Sequence, residues 1–101
     1  MNLESLAWNR SLIGEPGGAA RVDTPALVLD LDAFEANVAI MADLAKERGV
    51  ALRPHAKTHK CVTIAKAQID AGALGMCCAK LGEAEVLADG GIDHMLLTAT
   101  I

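Results

Sequence analysis

Aromatic residues and positive charge are both scarce in this sequence of 101 residues. It contains one Trp, one Phe and no Tyr, and its 13 acidic residues outnumber its 9 basic residues, giving a net charge of -4. Nucleic-acid surfaces combine positive charge with aromatic rings on which bases stack. The composition therefore argues against a nucleic-acid partner.

Long apolar runs are missing as well. Apolar runs such as residues 26–29 are interrupted by acidic residues, far short of the roughly 20 residues that a membrane-spanning helix needs. The N-terminus lacks the basic start and long apolar stretch of a signal peptide. We therefore predict a globular cytoplasmic protein that has no membrane partner.

Cysteine occurs only at Cys61, Cys77 and Cys78, and no Cys-x-x-Cys spacing exists. An odd number of cysteines, two of them adjacent, is poor material for disulfides, and the common zinc and redox spacings are absent. We predict reduced thiols that act as small apolar side chains in a core.

The sequence instead shows short apolar runs that alternate with segments of helical periodicity. Residues 1–22 contain Gly14, Pro16, Gly17 and Gly18 and show no sustained period, which predicts a flexible lead-in with one short helical turn. The predicted strands are 24–30, 50–53, 74–79 and 94–99, and the predicted helices, ended by Gly49, Gly72 and Gly90-Gly91, are 32–48, 62–71 and 81–88.

Successive strands begin about 20 to 24 residues apart, which leaves room for one crossover helix each time and predicts a parallel α/β sheet. A (β/α)8 barrel takes about 250 residues, so this chain supplies half of one. We predict that residues 23–101 are the first half of a TIM-like barrel, as a fragment. A complete doubly wound domain is the alternative, although it needs helices on both faces and normally a fifth strand.

The most informative segment for chemistry is Arg53-Pro54-His55-Ala56-Lys57-Thr58-His59-Lys60, directly after the second predicted strand. In an extended chain, His55, Lys57 and His59 alternate onto one face, at the barrel rim where active sites lie. A lysine amine beside other cations can attack a carbonyl carbon to form a Schiff base. Spacing alone leaves this role and that of a solvated basic loop equally open.

A zinc site is a less favoured interpretation of this segment than a Schiff-base lysine, because His55 and His59 would need a third protein ligand that the sequence does not show. Glu83 and Glu85, in the third predicted helix, are interpreted as solvated or helix-start residues. We assign no role to Lys80, although it closes the third strand on the same predicted rim.

Three segments together resemble the start of the D-threonine aldolase and D-serine dehydratase family. They are residues 22–30, the R-P-H-A-K-T-H-K segment with Leu52 before it, and residues 75–80 followed by Glu83-Ala84-Glu85. Members of this family are pyridoxal-phosphate enzymes with an alanine-racemase-like N-terminal barrel. The resemblance runs in order from residue 22 to residue 97.

The resemblance implies that Lys57 is the catalytic lysine that forms a Schiff base with pyridoxal 5'-phosphate. It gives His55 and His59 a place beside Lys57, where they either position Lys57 or line the cofactor pocket and bind the cofactor, and it makes no residue of this sequence a metal ligand. A divalent metal ion is expected in the full-length enzyme through a C-terminal β domain, which this sequence does not contain, and the phosphate-binding residues also lie outside it.

The implied activity is that of a lyase, which cleaves D-threonine-like β-hydroxy amino acids into glycine and an aldehyde. A D-serine dehydratase, which yields pyruvate and ammonia, is one alternative, and a non-catalytic pyridoxal-phosphate-binding protein is another. A homodimer is expected for the full-length protein. The 101-residue piece alone is predicted to be inactive.

Overall fold

A computed structural model describes residues 2–100, and the chain divides into the units Met1–Leu31 and Asp32–Ile101. No helix of the described residues is long and apolar enough to cross a membrane. The helices are α1 (Leu3–Ser11), α2 (Leu31–Arg48), α3 (Val62–Asp70) and α4 (Leu81–Asp89), and the strands are β1 (Met76–Cys78) and β2 (Met95–Leu97).

The first unit contains more regular structure than the single helical turn predicted for residues 1–22. Helix α1 has 9 residues, and the Asn2 side chain caps it by accepting a hydrogen bond from the Ser5 amide at 2.8 Å. The Asn9 side chain accepts from the Asp23 amide at 2.8 Å and donates to the Asp23 carbonyl at 3.0 Å. The helix has no buried residue, so it left no apolar period in the sequence to reveal it.

The strand predicted over residues 24–30 is wrong, because this segment forms no strand in the described structure. Leu27, Val28 and Leu29 are 105%, 62% and 56% exposed. An extended segment becomes a strand only when a neighbour satisfies its backbone hydrogen bonds. Its apolar sequence is typical of a buried strand, but the described residues pair no strand with it.

The predicted ends of the three following helices are confirmed, because each helix closes on a glycine. After α2, the Gly49 amide donates to the Lys46 carbonyl at 3.2 Å and the Val50 amide to the Ala45 carbonyl at 3.0 Å. This is a Schellman motif, and the φ of 65° at Gly49 is in the left-handed region that glycine adopts without strain. Gly72 and Gly91 occupy the same position after α3 and α4.

The sheet is parallel, as predicted, but its strands are shorter than predicted. β1 and β2 pair in parallel, with Cys77 opposite Leu96. The strand predicted at 50–53 is not regular; instead residues 52–55 run alongside β1, where the Leu74 amide donates to the Leu52 carbonyl at 2.8 Å and the Cys77 amide to the Pro54 carbonyl at 2.7 Å. Residues 52–55, β1 and β2 therefore form one parallel ladder.

The core of the second unit lies on one face of this ladder, against α3 and α4. Met76 and Cys78, which alternate with Cys77 along β1, have no exposed surface and point into it. The prediction that a cysteine packs as a small apolar side chain in the core is therefore confirmed for Cys78. The other buried members of the cluster are Ala56, Ala65, Leu87 and Ile92.

On the opposite face, the Arg53 side chain passes over Gly75, directly before β1, and reaches His94, directly before β2. Arg53 donates from Nη1 to the His94 carbonyl at 3.3 Å and from Nη2 to His94 Nδ1 at 3.4 Å. A Cβ atom on Gly75 would lie 2.8 Å from Arg53 Nη1 and would collide with the His94 carbonyl oxygen. Only glycine therefore leaves room for the arginine to reach the far strand.

We predict that Gly75→Ala lowers the free energy of unfolding of the full-length protein by about 1–3 kcal/mol, because the added methyl group overpacks this crossing. Urea denaturation measures the change. Gly82→Ala is the matched control, since nothing lies within 4 Å of a Cβ at that helical position. Equal stability of Gly75→Ala and the wild type would contradict the predicted crowding.

Candidate functional site

The candidate site lies where residues 52–55, β1 and β2 end. Because the three segments are parallel, their carboxyl ends meet at one edge of the sheet. In α/β proteins with parallel strands, active sites lie at the edge formed by the carboxyl ends of the strands. Three residues follow these carboxyl ends: Lys57 after residues 52–55, Lys80 after β1 and Thr98 after β2.

The segment that carries Lys57 is not extended, so the prediction that His55, Lys57 and His59 alternate along one face is wrong. Ala56–Thr58 forms a 3₁₀ turn, and the amides of His59 and Lys60 both donate to the Ala56 carbonyl, at 3.2 Å and 2.7 Å. Ala56 is fully buried in the core. The buried alanine ties the turn to the core and leaves Lys57 outside.

His55 holds the start of the turn with both nitrogens of its imidazole ring. Nδ1 accepts from the Lys57 amide at 3.2 Å, and Nε2 lies 3.1 Å from Thr98 Oγ1. Because Nδ1 accepts, the neutral ring carries its proton on Nε2 and donates it to Thr98. The Thr98 hydroxyl in turn donates to the Cys78 carbonyl at 3.2 Å. One chain of hydrogen bonds thus links the Lys57 backbone to the ends of β1 and β2.

The Lys57 side chain is exposed, and among residues 2–100 its amine has no ion-pair or hydrogen-bond partner. The neighbouring cations are engaged elsewhere. Lys60 Nζ binds Glu83 Oε2 at 2.8 Å, and Arg53 binds His94. Lys57 therefore presents the one amine of the segment that is available for chemistry at the strand ends.

His59 turns away from this arrangement. Its Nδ1 accepts from the Cys61 amide at 3.0 Å, and its Nε2 lies 3.2 Å from Gln68 Oε1. The amide oxygen only accepts, so Nε2 donates to it. His59 thereby joins the turn to α3, and its predicted place in a cofactor pocket stays a prediction.

Glu83, to which the sequence assigned no functional role, connects the two loops at this edge. Its Oε2 accepts from Lys60, and its Oε1 accepts from the Ala79 amide at 3.0 Å. The backbone of Lys60 lies in the left-handed region, with a φ of 50°, and its side chain is the one that Glu83 binds. Its position three residues after Lys80, the N-cap of α4, is a helix-start signal.

The hydrogen bond from Lys60, the amide of Ala79 and the Lys60 charge hold the pKa of Glu83 below its ordinary value of 4.5. A carboxylate whose pKa falls on folding contributes stability above its unfolded pKa, and this contribution is lost as pH falls through the folded pKa. We therefore expect Glu83→Gln to unfold more readily than the wild type at neutral pH.

The difference in urea midpoint between Glu83→Gln and the wild type should begin to shrink below about pH 4.5, the ordinary pKa, and should disappear as the pH falls through the lower pKa of the folded carboxylate. Glu85→Gln is the control, because Glu85 is exposed on the same helix and has no ion pair in the described chain. A difference that stays constant from pH 7 to pH 3 would contradict the role of the charge.

The three cysteines are free, as predicted. Burial, together with the charges of Glu83 and Cys77, raises the pKa of the Cys78 thiol. Cys78 therefore stays protonated and unreactive at neutral pH. No group of three or more His, Cys, Asp or Glu within residues 2–100 could hold a metal ion.

Comparison with known proteins identifies relatives of this chain. Residues 29–101 match the family model of the alanine racemase N-terminal domain. The chain is 54% identical over 82 residues to a D-threonine aldolase of an Arthrobacter species, which covers 80% of this chain and 22% of that protein. The chain thus spans about a fifth of the length of this curated relative.

Solved structures agree with the sequence relatives. The D-threonine aldolase of Filomicrobium marinum superposes with a TM-score of 0.77 at 57% identity, covering 79% of this chain and 22% of that one. The D-threo-3-hydroxyaspartate dehydratase of Delftia sp. HT23 gives 0.76 at 42% identity, covering 79% and 21%, and a mutant of it has been solved in a metal-free form. The chain belongs to the alanine racemase N-terminal domain family.

Proposed function

We propose that this chain is the part of a pyridoxal-phosphate-dependent lyase that binds the cofactor through Lys57, and that the enzyme acts on D-β-hydroxy amino acids. The observation that carries the proposal is the unpartnered Lys57 amine at the carboxyl ends of three parallel segments. The named relatives, aldolases and a dehydratase of such amino acids, support the substrate class.

The residues present fit the cofactor. An aldehyde needs a primary amine that is free of ion pairs and accessible, and Lys57 meets both conditions in the described chain. The core anchors the turn through Ala56, and His55 fixes the Lys57 amide. We assign no residue of this chain to the phosphate group of the cofactor.

Pyridoxal phosphate, when bound, supplies an electron sink for negative charge at the α carbon of an amino acid. The described residues position the amine that holds it. The His55 ring accepts the Lys57 amide hydrogen, Glu83 binds Lys60 at the end of the turn, and the Lys57 amine has no partner among the described residues. An exposed, unpartnered side chain therefore extends from a backbone that hydrogen bonds hold in place.

Retro-aldol cleavage of a D-threonine-like substrate is our first choice of reaction. The two aldolases share 54% and 57% of their matched residues with this chain, whereas the dehydratase shares 42%. Dehydration of a substrate such as D-serine is the second candidate, because the dehydratase superposes almost equally well. We propose that the divalent metal of either reaction is bound by a part of the protein outside this chain, since no group of three or more His, Cys, Asp or Glu within residues 2–100 could hold it.

Product analysis tests this proposal and separates the candidates. The full-length protein, loaded with pyridoxal phosphate and a divalent metal, is incubated with D-threonine, with D-serine and with D-threo-3-hydroxyaspartate. Glycine and an aldehyde identify the aldolase, and a 2-oxo acid and ammonia identify the dehydratase. Bound cofactor without turnover of D-threonine, D-serine or D-threo-3-hydroxyaspartate would contradict the lyase and favour a non-catalytic pyridoxal-phosphate-binding protein.

Three further assignments extend the proposal. We place residues 23–101 in the barrel domain, residues 1–22 before it, and a β domain after it. We propose a cytoplasmic location for the protein. A homodimer is proposed for the full-length enzyme.

A further inference from the structure

The 3₁₀ turn around Lys57 depends on contacts made from outside it. It has 3 residues, and a helix of that length supplies too few hydrogen bonds of its own to fix its geometry. The Lys57 amide points back to the His55 ring rather than to a backbone carbonyl. The position of Lys57 therefore depends on how that ring is held.

The ring is held by a residue 43 positions later in the chain. Its second nitrogen lies 3.1 Å from the Thr98 hydroxyl, which follows β2. Thr98 is itself fixed twice, because its amide donates to the Cys78 carbonyl at 2.9 Å and its hydroxyl to the same oxygen at 3.2 Å. A rotation of the ring would break both of its bonds.

We propose that Thr98 is a positioning residue for Lys57 and acts through His55. This inference rests on the proposed function, in which Lys57 binds the cofactor. By keeping the proton on Nε2, the Thr98 oxygen leaves Nδ1 free to accept the Lys57 amide. The hydroxyl is the chemical feature required, so serine replaces threonine and valine does not.

The test uses the full-length protein with Thr98→Val, Thr98→Ser and Thr100→Val. The last is the control, since Thr100 lies two residues further along and makes none of these contacts. In the absence of cofactor, NMR of the histidine ring nitrogens reports which one is protonated, and hydrogen exchange reports protection of the Lys57 amide. With added pyridoxal phosphate, the rate of its covalent attachment to Lys57 is measured.

We expect Thr98→Val to mix the two ring tautomers, to accelerate exchange of the Lys57 amide about tenfold and to slow cofactor attachment by a similar factor, the effect of about one lost hydrogen bond. Thr98→Ser and Thr100→Val should match the wild type. Unchanged exchange and attachment rates in Thr98→Val would overturn the proposal. Wild-type protein that attaches no cofactor contradicts the proposed function instead, while the cofactor-free measurements still decide the role of Thr98.

A second variant keeps the test decisive if Thr98→Val fails to fold. His55→Asn retains an acceptor for the Lys57 amide but is too short to reach Thr98, so it should slow attachment to the same extent. If the two residues act in series, combining them adds nothing further. Additive effects of His55→Asn and Thr98→Val, or a wild-type rate in His55→Asn alone, would overturn the proposal.

Discussion

Lys57→Ala should abolish covalent binding of pyridoxal phosphate and reduce turnover of the full-length protein by at least about a thousandfold. The substitution removes the amine on which the proposed chemistry depends, and losses of this size or larger follow removal of a covalent catalytic group. The exposed side chain contributes nothing to the core, so the fold should persist. Initial rates with D-threonine, together with the thermal transition, measure both effects.

Lys66→Ala is the matched control for this variant, because Lys66 is an exposed lysine in the middle of α3. It should retain wild-type turnover and cofactor content. Lys57→Ala protein that is folded and still turns over substrate within tenfold of the wild type would contradict the assigned role of Lys57.

Met76→Ala should lower the free energy of unfolding by about 2–5 kcal/mol, the range found when a large buried side chain is cut back and a cavity remains. Met76 is fully buried in the middle strand of the ladder, in the cluster that joins the sheet to α3 and α4. Urea denaturation of the full-length protein gives the difference, and m-values show whether the unfolding remains comparable.

Met76→Leu is the control, because it retains the volume and apolar character of the side chain and should cost less than about 1.5 kcal/mol. A similar loss in both variants would show that the site responds to any change rather than to the cavity. A loss below 1 kcal/mol for Met76→Ala would contradict the central place of this residue in the core.

Local signals in the sequence predicted the helices of the second unit and their ends. A glycine at the left-handed position after α2, α3 and α4 is a short-range feature, and the apolar periods between them are equally local. The first predicted strand failed for the opposite reason. Whether residues 24–30 pair as a strand depends on neighbours distant in sequence, which an apolar run alone does not specify.

For the candidate site too, the sequence revealed features of one short segment but not contacts between residues distant in the chain. The segment around Lys57 left a catalytic lysine and a solvated basic loop equally open, and the resemblance to a known family then assigned Lys57 as the lysine that binds the cofactor. The contacts that hold it join His55 to a residue 43 positions away and Lys60 to one 23 positions away. Such pairs arise only when strands and helices pack, so Thr98 and Glu83 gave no comparable signal.

The most direct test of the account is to identify the residue that binds the cofactor. The full-length protein is mixed with pyridoxal phosphate, its absorbance is recorded before and after borohydride reduction, and the modified peptide is mapped by mass spectrometry. The account predicts loss of the cofactor band on reduction and a single pyridoxyl group on Lys57. Label spread over Lys46, Lys60 and Lys66, or no label at all, would contradict it.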